Sequence, residues 1–125
     1  MILLLDAHAL LWWLADDPTL ADDARRVIAD PTNEVLVSAG TIWEVEIKRA
    51  LGKLNAPEGL VGAIEQVGFD ALPITGADAE RAGRLPIHHR DPFDRMLVAQ
   101  ATRLDAVIVS RDTAFDAYEV DRLPA

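Results

Sequence analysis

The chain predicts an α/β fold on a parallel sheet, and two observations carry that expectation. Short apolar runs alternate with segments of helical period from one end to the other, the pattern of successive βαβ units. The first run, Ile2-Leu3-Leu4-Leu5, ends at Asp6, and a late one, Ala106-Val107-Ile108-Val109, is followed closely by Asp112. In a parallel sheet the carboxyl ends of the strands share one crevice, where open α/β folds bind their ligands.

Each element has its own signal. Residues 2–5 form a strand, and 8–15 a strongly apolar helix ended by Asp16-Asp17-Pro18. Ala21, Ala24, Val27 and Ile28 share one face of a second helix, which stops before Pro31. Val35-Leu36-Val37 is the second strand. Residues 41–51 form a helix with Gly52 at its end, the usual place for a left-handed cap. A helix over 58–67 closes at Gly68, Phe69–Ile74 is a strand, and 77–85 is a short helix. Pro92 opens a helix that runs through Leu104. A strand follows at 106–110, with a weak last strand over 118–123.

The totals exclude several classes. A chain of 125 residues, half of them hydrophobic, makes one domain (1–125) with a full core and is no disordered tail. Cysteine is absent, so there is no disulfide framework or thiolate zinc site, which fits a reducing cytoplasm. No stretch approaches the ~20 apolar residues of a membrane span, and nothing resembles a signal peptide. The net charge of −9 argues against a generic nucleic-acid binder, which carries a basic surplus. Basic residues do flank the acids, however: Lys48, Arg49 and Lys53 follow Glu44, Arg90 and Arg95 bracket Asp94, and Arg111 precedes Asp112.

Four acids, Asp6, Glu44, Asp94 and Asp112, are expected to converge. Carboxylates at close range repel by ~1 kcal/mol per pair in water and by more when desolvated. A hard cation relieves that repulsion, and Mg²⁺ or Mn²⁺ suits carboxylate and water oxygens. The pattern therefore points to metal-dependent phosphoryl transfer. Each acid also has a plainer explanation. Asp6 can cap the 8–15 helix, Thr41-Ile42-Trp43-Glu44 matches a capping box, Asp94 sits at the third position of a helix capped by Asp91, and Asp112 can cap a turn. Capping and metal binding coexist, because a helix N-terminus favours negative charge. Asp91 is assigned mainly to capping, and Asp116 to a solvated face rather than a fifth ligand position. Ser110, two residues before Asp112, points the same way on extended chain and can orient a carboxylate or water. His8, His88 and His89 lack metal-ligand spacing. Trp12, Trp13, Ile42 and Trp43 either bury within the domain or mark a surface for a dimer or another partner.

Together Leu4-Leu5-Asp6, Ser38 through Glu44 with Lys48 and Gly52-Lys53-Leu54, His89-Arg90-Asp91-Pro92-Phe93-Asp94-Arg95 with Leu97 and Ala99-Gln100-Ala101, and Val109-Ser110-Arg111-Asp112 resemble a PIN-domain ribonuclease, more closely a VapC-type toxin of a bacterial toxin–antitoxin pair. The resemblance spans nearly the whole chain. It implies a three-layer α/β/α sandwich with a five-stranded parallel sheet in the order 3-2-1-4-5. It also implies a site of three or four acids binding Mg²⁺ or Mn²⁺, carried here by Asp6, Glu44, Asp94 and Asp112, cleavage of RNA, dimerisation, and inhibition by an antitoxin whose tail covers the groove. Lys48, Arg49 and Arg95 are candidates for positioning phosphate. An antitoxin helix would lie on Trp12, Trp13 and Trp43 and place a basic residue among the acids.

Other classes stay open. A receiver-type signalling domain also gathers acids around Mg²⁺, but the only lysines, Lys48 and Lys53, fall mid-chain rather than after a late strand. A haloacid-dehalogenase-like phosphatase needs a second acid after Asp6, where Ala7-His8 stands. A non-catalytic interaction module would keep the acids as caps alone and show no stabilisation by divalent ions.

Overall fold

The computed structural model describes all 125 residues. Its elements are β1 (Ile2–Leu5), α1 (Ala7–Leu14), α2 (Asp22–Ala29), β2 (Glu34–Ser38), α3 (Ala39–Ala50), α4 (Leu60–Gln66), β3 (Asp70–Leu72), α5 (Gly76–Arg84), α6 (Pro92–Leu104), β4 (Val107–Val109), a 3₁₀ turn over Thr113–Ala117, and β5 (Asp121–Leu123). The sheet has the order β3-β2-β1-β4-β5 with every pairing parallel. The expected architecture is therefore present.

β1 lies at the centre, with Leu3 beside Val35 and Val107, and Leu4 beside Leu36 and Ile108. Successive side chains alternate faces. Leu3 and Leu5 join Val35, Val37 and Val109 in a core with Leu10, Ala24, Ile28, Val45 and Ile64, from α1 to α4. Leu4, Leu36 and Ile108 face the other way, onto Leu97, Val98 and Ala101 of α6 and onto Phe115. Burial on both faces is why the central run is apolar without alternation. The result is three layers.

Several boundaries differ from the sequence expectation, each for a local reason. α3 begins at Ala39, two residues before the expected 41, because Ser38 and not Thr41 caps it: the Ser38 hydroxyl accepts the Gly40 N–H at 3.1 Å, so the helix opens directly off β2. α4 starts at Leu60, not 58, behind Gly59 in a left-handed conformation (φ 66°). β3 is only Asp70–Leu72, and β5 only Asp121–Leu123, since both edge strands pair on one side alone. Gly52 adopts φ 70° past the end of α3, as a helix-ending glycine does. No helix is long and apolar enough to cross a membrane.

Candidate metal centre

The carboxyl ends of the two central strands and two helix starts meet at one pocket. It holds about 180 Å³ and is lined by Asp6, Ala7, His8, Glu44, Lys48, Asp91, Asp94 and Asp112. All four expected acids are there.

Asp6 leaves β1 and caps α1, its carboxylate accepting the Ala9 N–H at 2.9 Å. Its own N–H still donates to the Val109 carbonyl, so the sheet ladder fixes its position. Burial raises its pKa, partly opposed by the neighbouring Ser110 hydroxyl and the Ala9 N–H. Ser110 is fully buried, and its oxygen also accepts the Asp112 N–H at 3.0 Å. It therefore sits between two of the acids. Asp112 in turn caps the 3₁₀ turn through the Ala114 N–H at 2.9 Å.

Glu44 is not a capping-box residue. It lies in the middle of α3 with its side chain turned inward, and Lys48, one turn on, donates to it at 2.8 Å. The Glu44 carboxylate, with Asp91 and Asp94 nearby, raises the Lys48 pKa. The ammonium thus supplies one positive charge to a pocket of five carboxylates.

Asp91 caps α6, accepting from Phe93 N at 2.8 Å and Asp94 N at 3.2 Å. Pro92 occupies the first turn, and Asp94 projects from the third position. Its side chain is only 16% exposed. Burial raises its carboxyl pKa to about 7, and the Asp91 charge adds to the rise.

His89, given no role from the sequence, completes the cluster. Its Nε2 lies 2.6 Å from Asp94 Oδ2 and 3.6 Å from Asp112 Oδ2. Nδ1 accepts the Asp91 N–H across 3.4 Å, which leaves the proton of a neutral ring on Nε2. Nε2 then donates to Asp94 rather than offering a lone pair, so His89 orients the acid. The loop reversal into α6 brings it there, and nothing in the local sequence marks the partnership.

The other candidates lie elsewhere. Arg49 pairs with Glu46 at 2.9 Å, and Arg95 donates to the carbonyls of Gly83, Leu85, Pro86 and His89; neither lines the pocket. Asp116 forms a two-pronged pair with Arg122 outside it. Trp43 is 63% exposed, whereas Trp12, Trp13 and Ile42 pack partly against the core.

The donor set fits a hard divalent cation: carboxylate oxygens dominate it, with His89 within reach of the Asp94 and Asp112 oxygens, and burial together with the Asp91 charge makes Asp94 resist ionisation without a counter-charge. A parallel 3-2-1-4-5 sheet with a carboxylate pocket at its central strand ends defines an α/β class with an acidic crevice. The chain belongs to the PIN domain family, whose model matches residues 3–121. No curated protein matches it in sequence. Among solved structures it is similar to VapBC2 from Rickettsia felis bound to a promoter DNA fragment (TM-score 0.70, 13% identity, 98% of each chain covered). It is similar also to FitAcB from Neisseria gonorrhoeae (TM-score 0.68, 22% identity, 99% of this chain and 97% of that one). A third is VapBC-1 from nontypeable Haemophilus influenzae (TM-score 0.67, 23% identity, 98% and 97%).

Proposed function

We propose that this chain is a metal-dependent endoribonuclease acting as the toxin of a toxin–antitoxin pair in the cytoplasm. The observation that carries the reading is the convergence of Asp6, Glu44, Asp94 and Asp112 in one pocket, with Asp94 held protonatable near neutrality by its crowded surroundings. A module that kept these acids only as helix caps would gain nothing from Glu44, which caps no helix.

The four acids would hold Mg²⁺ or Mn²⁺, with His89 and Ser110 fixing Asp94 and Asp6. A bound divalent ion supplies an activated water and neutralises charge on the phosphate and leaving oxygen. Lys48, already in the pocket, is placed to meet a phosphate oxygen once a cation takes over Glu44. No protein nucleophile is required.

One similar structure is named a toxin–antitoxin complex, from Klebsiella pneumoniae, and another a member of the VapBC family of toxin–antitoxin systems, from Mycobacterium tuberculosis, which supports an antitoxin partner for this chain. Trp43, Ile47 and Leu51, one turn apart on α3, form an exposed apolar stripe, and Trp43 meets Phe93 beside the pocket at 5.5 Å between rings. The stripe suits an antitoxin helix or the second subunit of a homodimer. Sedimentation of the isolated chain at micromolar concentration should give a dimer, and a clean monomer would remove that part of the reading. The activity itself is tested by incubating the purified chain with cellular RNA and mapping the new ends. Cleavage should need Mg²⁺ or Mn²⁺ and vanish in Asp94→Asn. Wild-type cutting rates in that variant would overturn the assignment.

A further inference from the structure

Beside the acidic pocket lies a second cleft of about 450 Å³, lined by Asp6, His8, Trp12, Arg111 and Asp112. Asp6, His8 and Asp112 line both cavities, so the two are continuous. Its volume falls in the range of ligand sites, roughly 300–1,000 Å³. The walls differ in chemistry from the acidic pocket. Arg111 places its guanidinium carbon 4.6 Å over the Trp12 ring, and the His8 ring lies 5.7 Å from the same indole, tilted by 39°.

The guanidinium is anchored from behind. Nε and Nη2 of Arg111 donate to the Ala125 carbonyl at 3.1 and 2.8 Å, and Nη2 also to the Thr19 carbonyl at 2.6 Å. Nη1 has no protein partner. Arg111 is thus held in place with one free donor, stacked on an aromatic ring at the mouth of the acidic pocket.

We propose that this His8–Trp12–Arg111 cleft is a subsite for the unpaired nucleotide next to the scissile phosphate, its base lying on the aromatic and guanidinium surface and its phosphate meeting Arg111 Nη1. The inference rests on the ribonuclease reading and adds to it a base-binding surface formed by His8, Trp12 and Arg111. Bases stack on aromatic rings and arginine planes only when freed from their own helix, which duplex RNA does not allow. It also answers the charge problem of a −9 chain, because stacking contributes affinity without a basic surface.

The test compares a short single-stranded RNA with its duplex, using fluorescence anisotropy on protein carrying Asp94→Asn to prevent cleavage. Adding Trp12→Leu or Arg111→Gln should raise the single-strand Kd roughly 5- to 150-fold, the span expected for losing one stacked base. Trp12→Phe and Arg111→Lys should recover part of it. In the active background the same changes should raise KM more than they lower kcat, and the Mg²⁺-induced rise in Tm should persist. A structural staple alone would move Tm without this split. Should Trp12→Leu not fold, Trp12→Phe with Arg111→Gln decides. Folded variants that bind single strands as the parent does, or a parent that binds duplex equally well, overturn the subsite while leaving the ribonuclease intact. A wild-type chain that neither binds nor cuts RNA overturns both.

Discussion

Replacing Asp94 by asparagine separates the electrostatic cost of the metal centre from its packing, because the amide keeps the shape and loses the charge. Burial, with the Asp91 charge beside it, carries the folded-state carboxyl from 3.8 to about 7, and that value already includes the favourable His89 contact. The folded value lies above the unfolded one, so the contribution of Asp94 is complete below about 3.8 and is lost as pH rises through about 7. The full difference amounts to at most about 4 kcal/mol. With 16% of the side chain still open to water, about 2 kcal/mol is the expected share, or roughly 6–10 °C in Tm for a chain of this size. Thermal unfolding in the presence of chelator should therefore show Asp94→Asn more stable than wild type near pH 8, with the gap closing on acidification to about pH 4. Parallel pH profiles for the two proteins, or a wild type more stable than the variant at pH 8 without metal, would refute the reasoning.

Three other outcomes follow from the same geometry. Mg²⁺ or Mn²⁺ at a hundredfold excess over its dissociation constant should stabilise the wild type by ~2.7 kcal/mol and leave Asp6→Asn unmoved in a thermal scan, since that variant loses the ligand at the end of the central strand. Arg103→Met strands the buried Asp78 carboxylate, which Arg103 now holds below the usual carboxylate range with bonds of 2.7 and 2.9 Å. Denaturant unfolding should show a lower midpoint than wild type at neutral pH. That difference should shrink as pH falls below the unfolded value, because a depressed carboxyl stabilises only above it. Tyr118→Phe removes the hydroxyl that donates to the Pro86 carbonyl (2.8 Å) and accepts the His89 N–H (3.0 Å). About 1–3 kcal/mol should be lost and amide exchange at His89 should quicken; an unchanged exchange rate would show that the hydroxyl is no tether.

The sheet was legible because each central strand is an unbroken apolar run and each acid terminates one or follows a helix start. Asp6, Asp94 and Asp112 were readable for the same reason: capping positions tie them to backbone that the sequence announces. For Glu44 the plainer explanation fails. Thr41 through Glu44 looks like a capping box, but Ser38 caps the helix and Glu44 lines the pocket from mid-helix, so tertiary placement overrode the local pattern. His89 and the buried Asp78–Arg103 pair left no local trace of their partners. The first is set by a loop reversal, the second by a separation of 25 residues. Among the tryptophans the sequence could not rank exposure, and only Trp43 stands well clear of the core.

Arg95 has a consequence for how the centre moves. One guanidinium satisfies four carbonyls, at residues 83, 85, 86 and 89, from a position adjacent to Asp94 on α6. A segment without helix or strand is thereby welded to the helix that carries the acid, and the histidine travels with the carboxylate it orients. Insertions between α5 and α6 should be tolerated worse than their lack of regular structure suggests, because lengthening the link breaks several anchors at once. The segment should open together with the first turn of α6, as a single cooperative unit rather than as a surface loop.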